Sequence, residues 1–470
     1  MPIKIENKTH MPMLDALERR SVFREVNQGY DAPRAMFEAL RCLECEDADC
    51  ERGCPVLVPI QKMAGHIAEG KFEEGLRILK AVNSLPAVCG RVCPQETQCE
   101  KQCHMGKQFK PVGIGFLERF LADWEIANGR ITEDIPEPTN GKVAVVGSGP
   151  AGLTVAGDLA RLGYKVKIFE ALHKAGGVLR YGIPEFRLPK HILDFEIDGL
   201  KRMGVEVECN VVVGKTVTLD ELREEYDAVF LGTGAGLPSF LKIPGENFTG
   251  VYSANEFLTR VNLMEAYRFP EVDTPVRAGR KTVVVGAGNV AMDAVRSALR
   301  LGAEEAIIVY RRTIKEMTAR IEEYHHAVEE GVQFNWLTTP VKVYGDDRGW
   351  VKAIELEKMK LGEPDSSGRR RPVPTGETYT MECDAFVVAI GTSPNPLIPR
   401  CVPELNVEKW GGIIVNKGTG ETSINRVYAA GDIVTGSATV IEAAGAGKEV
   451  AAAIHARLSK KSKKNGRKAK

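Results

Sequence analysis

Cysteine is almost absent from the chain beyond residue 103, although the protein has 470 residues. Only Cys209, Cys383 and Cys401 occur there, each isolated from the others. No Cys-x-x-Cys pair is found in that part, so dithiol–disulfide chemistry is not expected from it. We expect the three isolated thiols to be ordinary packing residues.

The chain also lacks long apolar runs and an excess of charge. No run of about 18 apolar residues occurs, so no membrane span or membrane partner is predicted. The first residues contain no apolar stretch of signal-peptide length, which predicts a cytoplasmic protein. The 63 basic residues balance the 63 acidic residues. The single basic run is the tail 459–470, which we expect to be disordered, and no nucleic-acid partner is predicted.

Cysteine is concentrated at the front of the chain. Eight of the eleven cysteines lie in the first 103 residues, in two tight groups. These groups are Cys42, Cys45, Cys50 and Cys54, then Cys89, Cys93, Cys99 and Cys103. Cys54 and Cys93 are each followed by proline. The uneven distribution predicts an N-terminal metal-cluster module joined to a chain with a different task.

Disulfides, zinc and iron–sulfur clusters all use grouped cysteines. Disulfides need an oxidising compartment, and an odd total leaves one thiol over. Zinc sites favour paired two-residue spacings, and only Cys42 and Cys45 have that spacing. The run that ends in Cys54-Pro55 follows the ferredoxin pattern with one gap widened, and the last cysteine of such a run binds a second cluster. The spacing therefore favours two [4Fe–4S] clusters, the second completed from the later group.

A glycine-rich loop follows a short apolar strand at residues 143–146. Gly147, Gly149 and Gly152 have the spacing that gives a tight turn, a close approach to a pyrophosphate and tight packing of the next helix. A second strand ends in Glu170, where the hydroxyl groups of a ribose would be bound. Strand, loop, helix, strand and acid occur in the right order, which predicts a dinucleotide site.

The same pattern recurs from residue 282. Gly286 and Gly288 are followed by Ala291, a permitted replacement of the third glycine. The second strand of this unit ends in Arg311 and Arg312 instead of an acid. Arginine pairs with a 2′-phosphate, which an acid would repel. The first site is therefore predicted to hold a cofactor with a free ribose, and the second to hold NADP(H).

Later segments extend this pattern. Residues 227–234 and 384–392 are near copies, each a strand that enters a Gly-Thr turn. Gly431 and Asp432 follow another strand. In this order the segments resemble flavoproteins with two dinucleotide-binding domains, in which such a Gly-Asp pair meets the ribityl chain of the flavin.

Four further segments carry a family resemblance, at residues 41–45, 86–94, 176–184 and 429–432. Through them, residues 25–457 resemble the small (beta) subunit of NADPH-dependent glutamate synthase and its relatives. These relatives include the large FAD subunit of the NADH-dependent ferredoxin:NADP oxidoreductases and the N-terminal part of dihydropyrimidine dehydrogenase. Residues 250–260 are most similar to the ferredoxin:NADP oxidoreductase branch.

The resemblance implies two [4Fe–4S] clusters and their ligands. The first cluster would be bound by Cys42, Cys45, Cys50 and Cys103. The second would be bound by Cys54, Cys93, Cys99 and Glu118. Cys89 would then be a spare buried thiol.

FAD and NADP(H) are the other implied cofactors. FAD contacts are expected at Gly147, Gly149, Pro150, Ala151, Gly152, Glu170, Gly177, Arg180, Gly232, Thr233, Gly431 and Asp432. NADP(H) contacts are expected at Gly286, Gly288, Asn289, Val290, Arg311, Arg312, Arg320 and Gly391. Arg320 ends a Met-Thr-Ala-Arg stretch that departs from the Met-Pro-Ala-Arg of the family at Thr318.

The implied activity is hydride exchange between NADPH and FAD, followed by single-electron transfer through the clusters to a second subunit. No catalytic side chain is expected, because the chemistry belongs to the flavin. The partner would be a smaller FAD/[2Fe–2S] subunit in an electron-bifurcating enzyme that reaches ferredoxin indirectly, or the large subunit of glutamate synthase. A cluster-bearing structural subunit is the non-enzymatic alternative.

The predicted fold class is α/β. A helical iron–sulfur domain (1–140) is followed by two Rossmann-like domains of the FAD/NAD(P) flavoprotein type. The FAD domain would be split into 141–265 and 385–458, with the NADP(H) domain (266–384) between its parts and the basic tail (459–470) after them.

Overall fold

The computed structural model describes residues 6–133, 135–138, 140–366 and 368–468, with side chains described as far as residue 460. The helices are α1 (Ala16–Arg19), α2 (Ala32–Ala39), α3 (Asp49–Arg52), α4 (Ile60–Ala68), α5 (Phe72–Lys80), α6 (Pro86–Val92), α7 (Ile114–Asn128), α8 (Pro150–Arg161), α9 (Val178–Tyr181), α10 (Lys190–Arg202), α11 (Leu219–Glu225), α12 (Ala254–Asn262), α13 (Asn289–Arg300), α14 (Ile321–Glu329), α15 (Leu397–Cys401), α16 (Asp432–Thr435) and α17 (Val440–Lys468). The strands are β1 (Lys142–Val146), β2 (Lys165–Phe169), β3 (Glu206–Glu208), β4 (Ala228–Leu231), β5 (Leu237–Pro238), β6 (Val251–Ser253), β7 (Lys281–Val285), β8 (Glu305–Tyr310), β9 (Gln333–Trp336), β10 (Thr338–Gly345), β11 (Val351–Pro364), β12 (Arg370–Glu382), β13 (Ala385–Val388), β14 (Thr392–Ser393) and β15 (Val427–Ala429).

Helices α1 to α7 build the N-terminal domain, as the sequence predicts. Gly90 in α6 allows the closest helix contact there, because a Cβ at this position would lie 2.5 Å from the backbone nitrogen of Arg119 in α7. The backbones of α6 and α7 therefore touch. This contact brings Cys89 of α6, and Cys93 directly after the helix, beside the first turns of α7.

The first dinucleotide unit is a parallel sheet with strand order β15–β4–β1–β2–β3. Residues 143–146 of β1 are fully or almost fully buried. Their continuous apolar run is typical of a parallel strand that is covered on both faces. Helices α8 and α17 pack against each other beside this sheet.

The second unit is a parallel sheet with order β6–β13–β7–β8–β9. It contains β6 and β13, which fall within the predicted FAD segments 141–265 and 385–458. The predicted boundaries at 265/266 and 384/385 are therefore wrong. The near-copy strands β4 and β13 each pair with the first strand of their own unit, β1 and β7, and sequence similarity alone did not assign β13 to the second unit.

Two smaller sheets complete the fold. Strands β5 and β14, in the two connections between the units, pair antiparallel with each other. Strands β10, β11 and β12 form an antiparallel sheet, in which β11 and β12 pair as a long hairpin.

Helix α17 continues to Lys468, so the predicted disordered tail (459–470) is helical that far. Lysine and arginine make up most of residues 459–468, and both are good helix formers that extend the preceding helix. Residues 469–470 and the side chains of residues 461–470 lie outside the described part of the chain.

Candidate active site

The first glycine loop joins β1 to α8 and has the close contacts that a phosphate-binding turn requires. Gly147 has a φ of 99°, and a Cβ there would lie 2.6 Å from the carbonyl oxygen of Gly232. A Cβ on Gly152 would lie 2.0 Å from the carbonyl oxygen of Gly147. A Cβ on Gly149 would meet nothing within 4 Å. The loop therefore packs tightly against the protein at Gly147 and Gly152 and leaves free space at Gly149. This free space fits a pyrophosphate at the N-terminus of α8.

Glu170 lies at the end of β2, as predicted for a ribose-binding acid. Its carboxylate accepts hydrogen bonds from the backbone nitrogen of Ser148 at 3.0 Å and of Leu172 at 2.8 Å, and from the hydroxyl of Ser148. The acid therefore holds the glycine loop in place from the position where a ribose would approach it.

The second glycine loop joins β7 to α13. Gly286 has a φ of 131°, and a Cβ there would lie 2.2 Å from the carbonyl oxygen of Ala389. Asn289 accepts a hydrogen bond from the backbone nitrogen of Arg320 at 2.9 Å. This loop therefore has the same closed turn as the first.

Both loops open on one cavity of about 1070 Å³. Most of the predicted nucleotide residues line it. These are Gly147, Gly149, Pro150, Ala151, Glu170, Gly177, Gly232, Thr233, Gly286, Gly288, Asn289, Val290, Arg311, Arg312, Gly391 and Asp432. Burial raises the pKa of Asp432 to about 6. A single continuous space thus connects the predicted flavin and nicotinamide sites.

Four predicted contact residues are not part of this lining, namely Gly152, Gly431, Arg180 and Arg320. Gly152 and Gly431 serve the packing of the loops. Arg180 donates to the carbonyl of Ala175 at 3.0 Å and pairs with Asp194. Its buried guanidinium therefore stabilises the segment 176–184 from the side that does not line the cavity.

Arg320 points away from the nucleotide cavity and towards the N-terminal domain. Its guanidinium donates to the side chain of Gln95 at 2.9 Å and to the carbonyl of Arg91 at 3.2 Å. It also contacts the carboxylate of Glu322 at 2.8 Å and lies 3.4 Å from that of Glu96. Gln95, Arg91 and Glu96 are remote from Arg320 in sequence, so the Met-Thr-Ala-Arg stretch gave no sign of this orientation.

The cavity also contains side chains that the sequence analysis missed. Arg187 and Asp293 form a buried pair, in which one guanidinium nitrogen lies 2.7 Å from each carboxylate oxygen. Burial raises the pKa of Asp293 to about 6 although Arg187 opposes this effect. Tyr181 lines the same space, and burial, then the charge of Asp432, raises its pKa to about 12. The sequence could have indicated Asp293, because it is an acidic residue on the apolar side of α13.

Four cysteines converge on a small cavity near the front of the N-terminal domain. They are Cys42, Cys45, Cys50 and Cys103, the set expected for the first cluster. Burial, and then the neighbouring Cys103 and Cys42, raise the pKa of Cys50 to about 12. Thiols in such surroundings ionise only with a positive partner, so this donor set fits the cationic core of an iron–sulfur cluster.

The second group surrounds Glu118, in the first turns of α7. Burial, and then the charge of Glu118, raise the pKa of Cys54 to about 11. A hydrogen bond with Cys89, then burial, raises the pKa of Cys93, and Glu118 adds to this effect. Burial raises the pKa of Cys99, with Cys54 and Glu118 among the contributing charges.

Glu118 is buried, with 8% of its surface exposed, and the side-chain amide of Asn83 donates to its carboxylate at 2.6 Å. Burial raises its pKa to about 8, although this hydrogen bond lowers it. Cys89 also lies at this site, 3.7 Å from the side-chain oxygen of Asn83. Three expected cysteine ligands, one carboxylate and one additional thiol are thus neighbours.

The second cysteine group adjoins the nucleotide cavity. Val92 and Pro94, on either side of Cys93, line that cavity. Pro55, which follows Cys54, touches α17, because a Cβ on Gly445 would lie 2.7 Å from its carbonyl oxygen. Both Cys-Pro pairs therefore face the first dinucleotide unit.

Within the part of the chain that the structure describes, no three His, Cys, Asp or Glu side chains are close enough to hold a single metal ion. No helix among the described residues is long and apolar enough to cross a membrane.

Comparison with protein families gives two matches. Residues 19–130 match dihydropyrimidine dehydrogenase domain II with its 4Fe–4S cluster. Residues 141–447 match the pyridine nucleotide–disulphide oxidoreductases.

Curated relatives match along most of the chain. The glutamate synthase [NADPH] small chain of Azospirillum brasilense is 35% identical over 94% of this chain and 92% of its own length. The NADP(+)-dependent formate dehydrogenase subunit beta of Moorella thermoacetica is 40% identical over 87% of this chain, which spans only 59% of that subunit.

Solved structures support the predicted fold. FprA of Mycobacterium tuberculosis, in complex with NADPH, has a TM-score of 0.58 at 24% identity, covering 70% of this chain and 86% of FprA. Lactococcus lactis thioredoxin reductase has a TM-score of 0.52 at 21% identity, covering 68% of this chain and 99% of that protein. The predicted helical domain followed by two Rossmann-like domains is confirmed.

Proposed function

This chain belongs to the family of the NADPH-dependent glutamate synthase small chains, and we propose that it takes electrons from NADPH and passes them singly to a partner subunit. One observation carries this proposal. The cavity lined by both glycine loops is also lined by Val92 and Pro94, which flank Cys93. The proposed nicotinamide and flavin sites thus share one cavity, and the residues on either side of Cys93 form part of its wall.

We assign FAD to the first loop and NADP(H) to the second. Gly149 and the N-terminus of α8 would receive the FAD pyrophosphate, and Gly288 and α13 that of NADP(H). Arg311 and Arg312 line the cavity at the end of β8 and would receive the 2′-phosphate. When bound, FAD would take a hydride from NADPH and release electrons singly, which is chemistry that the cofactor supplies.

We further propose two [4Fe–4S] clusters. The first would be held by the four cysteines of the small front cavity. The second would be held by Cys54, Cys93, Cys99 and Glu118; the charge of Glu118 acts on all three of these thiols, which supports this ligand set. Because the second group adjoins the first dinucleotide unit through Pro55 and α17, we propose that electrons pass from the flavin to this group and then to the first. Thiolate ligands of this kind need a reducing compartment, so we propose a cytoplasmic location.

For the partner, we propose a smaller FAD/[2Fe–2S] subunit and an electron-bifurcating reaction that reaches ferredoxin indirectly. The similarity of residues 250–260 to the ferredoxin:NADP oxidoreductase branch supports this choice. The alternative partner is the large subunit of glutamate synthase, which the 35% identity over 92% of a small chain favours. Purification from the native cell would distinguish them, by a small flavin subunit or a large glutaminase-bearing subunit in the complex.

Spectroscopy of the anaerobically purified protein tests the proposal. We expect flavin absorption, about eight irons per chain, and bleaching of the flavin by NADPH but not by NADH. Arg311→Ala should lose the preference for NADPH and keep the flavin and the iron. Failure of both nucleotides to bleach the wild-type flavin would contradict the proposed function.

A further inference from the structure

The turn of the β11–β12 hairpin lies at the predicted 2′-phosphate site. Arg369, in this turn, lines the same cavity as Arg311 and Arg312, which end the neighbouring β8. Arg369 lies more than fifty residues after Arg311 and Arg312 in sequence, and the hairpin brings it to the cavity that they line. Arg369 is therefore a cavity residue with no place in the glycine-loop motif.

The hairpin also holds Arg312 directly. The Nη2 of Arg312 lies 2.7 Å from the Oδ2 of Asp365, and its Nε donates to the carbonyl oxygen of Arg370 at 2.8 Å. Arg312 is almost completely buried, with 7% of its side chain exposed. The orientation of this guanidinium therefore depends on the hairpin as well as on its own strand.

Asp365 changes the charge that the site offers to a ligand. A phosphate monoester carries about −1.5 to −2 charges at neutral pH. Arg311 and Arg312 alone, with one positive charge cancelled by Asp365, leave a single positive charge. Arg369 restores a second positive charge, which matches the phosphate.

We propose that Arg369 is a third arginine of the 2′-phosphate site and that it determines much of the selectivity for NADP(H) over NAD(H). The inference rests on the proposed function, since it places the 2′-phosphate at Arg311 and Arg312. In this arrangement Asp365 orients Arg312 but cancels its positive charge. Arg369 supplies a further positive charge for the phosphate. The hairpin thus contributes to the 2′-phosphate site, which selects NADP(H) over NAD(H), whereas the glycine loop of the same nucleotide site lies between β7 and α13.

Equilibrium binding to the purified, cofactor-loaded protein tests the proposal without an activity measurement. The probes are adenosine 2′,5′-bisphosphate and AMP, which differ only in the 2′-phosphate. Arg369→Ala is expected to weaken binding of the bisphosphate about tenfold or more, the usual effect of losing a charge-assisted contact, and to leave AMP binding unchanged. Arg369→Lys keeps the positive charge but not the planar guanidinium. Its affinity for the bisphosphate should therefore lie between those of the wild type and Arg369→Ala.

Arg371→Ala is the matched control, because Arg371 is exposed on the same hairpin and is not among the cavity residues. It should bind both probes like the wild type. If Arg311→Ala loses the bisphosphate while Arg369→Ala retains wild-type affinity, the role of Arg369 is disproved and the proposed function stands. If the wild type itself does not prefer the bisphosphate, the NADP(H) assignment fails and the role of Arg369 fails with it.

Discussion

At the scale of single residues, Glu118 is the most unusual side chain of the N-terminal domain. It is a buried carboxylate that accepts a hydrogen bond from Asn83 and is affected by the charge of Glu196, and its own charge acts on three cysteine thiols. A carboxylate in such surroundings needs a compensating positive charge or a proton. An iron–sulfur cluster held by Cys54, Cys93 and Cys99 would supply the positive charge.

Replacing Glu118 with Ala should change the EPR spectrum and the reduction potential of one cluster, because ligation and net charge set the potential. The neighbouring Cys89→Ala is the matched control and should keep both clusters and about eight irons per chain. Unchanged spectra and potentials in Glu118→Ala would disprove the ligand assignment. Loss of iron in Cys89→Ala would identify Cys89 as a ligand instead.

At the scale of elements, one carboxylate joins three segments. Glu330, just after α14, accepts hydrogen bonds from Arg296 at 2.9 and 2.7 Å and from Arg300 at 2.8 and 3.0 Å, both in α13. It also accepts one from Arg19 of α1 at 3.1 Å. The network therefore ties the N-terminal domain to the second dinucleotide unit.

Glu330→Gln should lower the free energy of unfolding by about 3–5 kcal/mol, because it leaves three buried arginines short of negative charge. Glu329→Gln is a suitable control, since Glu329 is half exposed and contacts only Arg19 among the described ion pairs. Its effect should stay below about 1 kcal/mol. Equal effects of both substitutions in denaturant unfolding would contradict this account.

The same network predicts how stability changes with pH. Burial raises the pKa of Glu330, but Arg296 and Arg300 outweigh burial and hold the pKa at about 2. An unfolded glutamate has a pKa of about 4.3. The contribution of Glu330 is therefore complete above about pH 4.3 and is lost as the pH falls towards 2. Unfolding measured between pH 6 and 3 should show a smaller acid loss in Glu330→Gln than in the wild type.

At the scale of the whole molecule, Arg320 connects the second dinucleotide unit to the cysteine-bearing domain. Its contacts with Gln95 and with the carbonyl of Arg91 cross that boundary. Its backbone nitrogen meanwhile binds Asn289 of the second glycine loop. Arg320, which the sequence predicts to bind NADP(H), thus links two domains through its side chain.

Arg320→Ala should lower the free energy of unfolding by about 3 kcal/mol, because buried acceptors lose their donor. The affinity for NADP⁺ should stay within about twofold of the wild type, whereas Arg311→Ala should lose about tenfold or more. Isothermal titration with NADP⁺ and denaturant unfolding measure the two effects. A large loss of NADP⁺ affinity in Arg320→Ala would restore the nucleotide-binding role that the sequence predicts.

Much of the fold follows from local rules. The glycine loops at Gly147 and Gly286 need turns that few other residues can make, and the apolar strands before them must be buried. These requirements are visible in a short stretch of sequence. The domain boundaries were not visible, because β4 and β13 look alike and only strand pairing assigns each to its sheet.

The sequence by itself determined that the chain has a helical cysteine-rich front, two dinucleotide loops and a preference for arginine at the second. Each of these depends on backbone conformation or on residue type within one segment. Only the tertiary structure decided where long side chains point. Arg320 turns to the N-terminal domain, Arg369 arrives from a distant hairpin, and Arg187 pairs with Asp293, because their partners are remote in sequence and burial selects which charges meet.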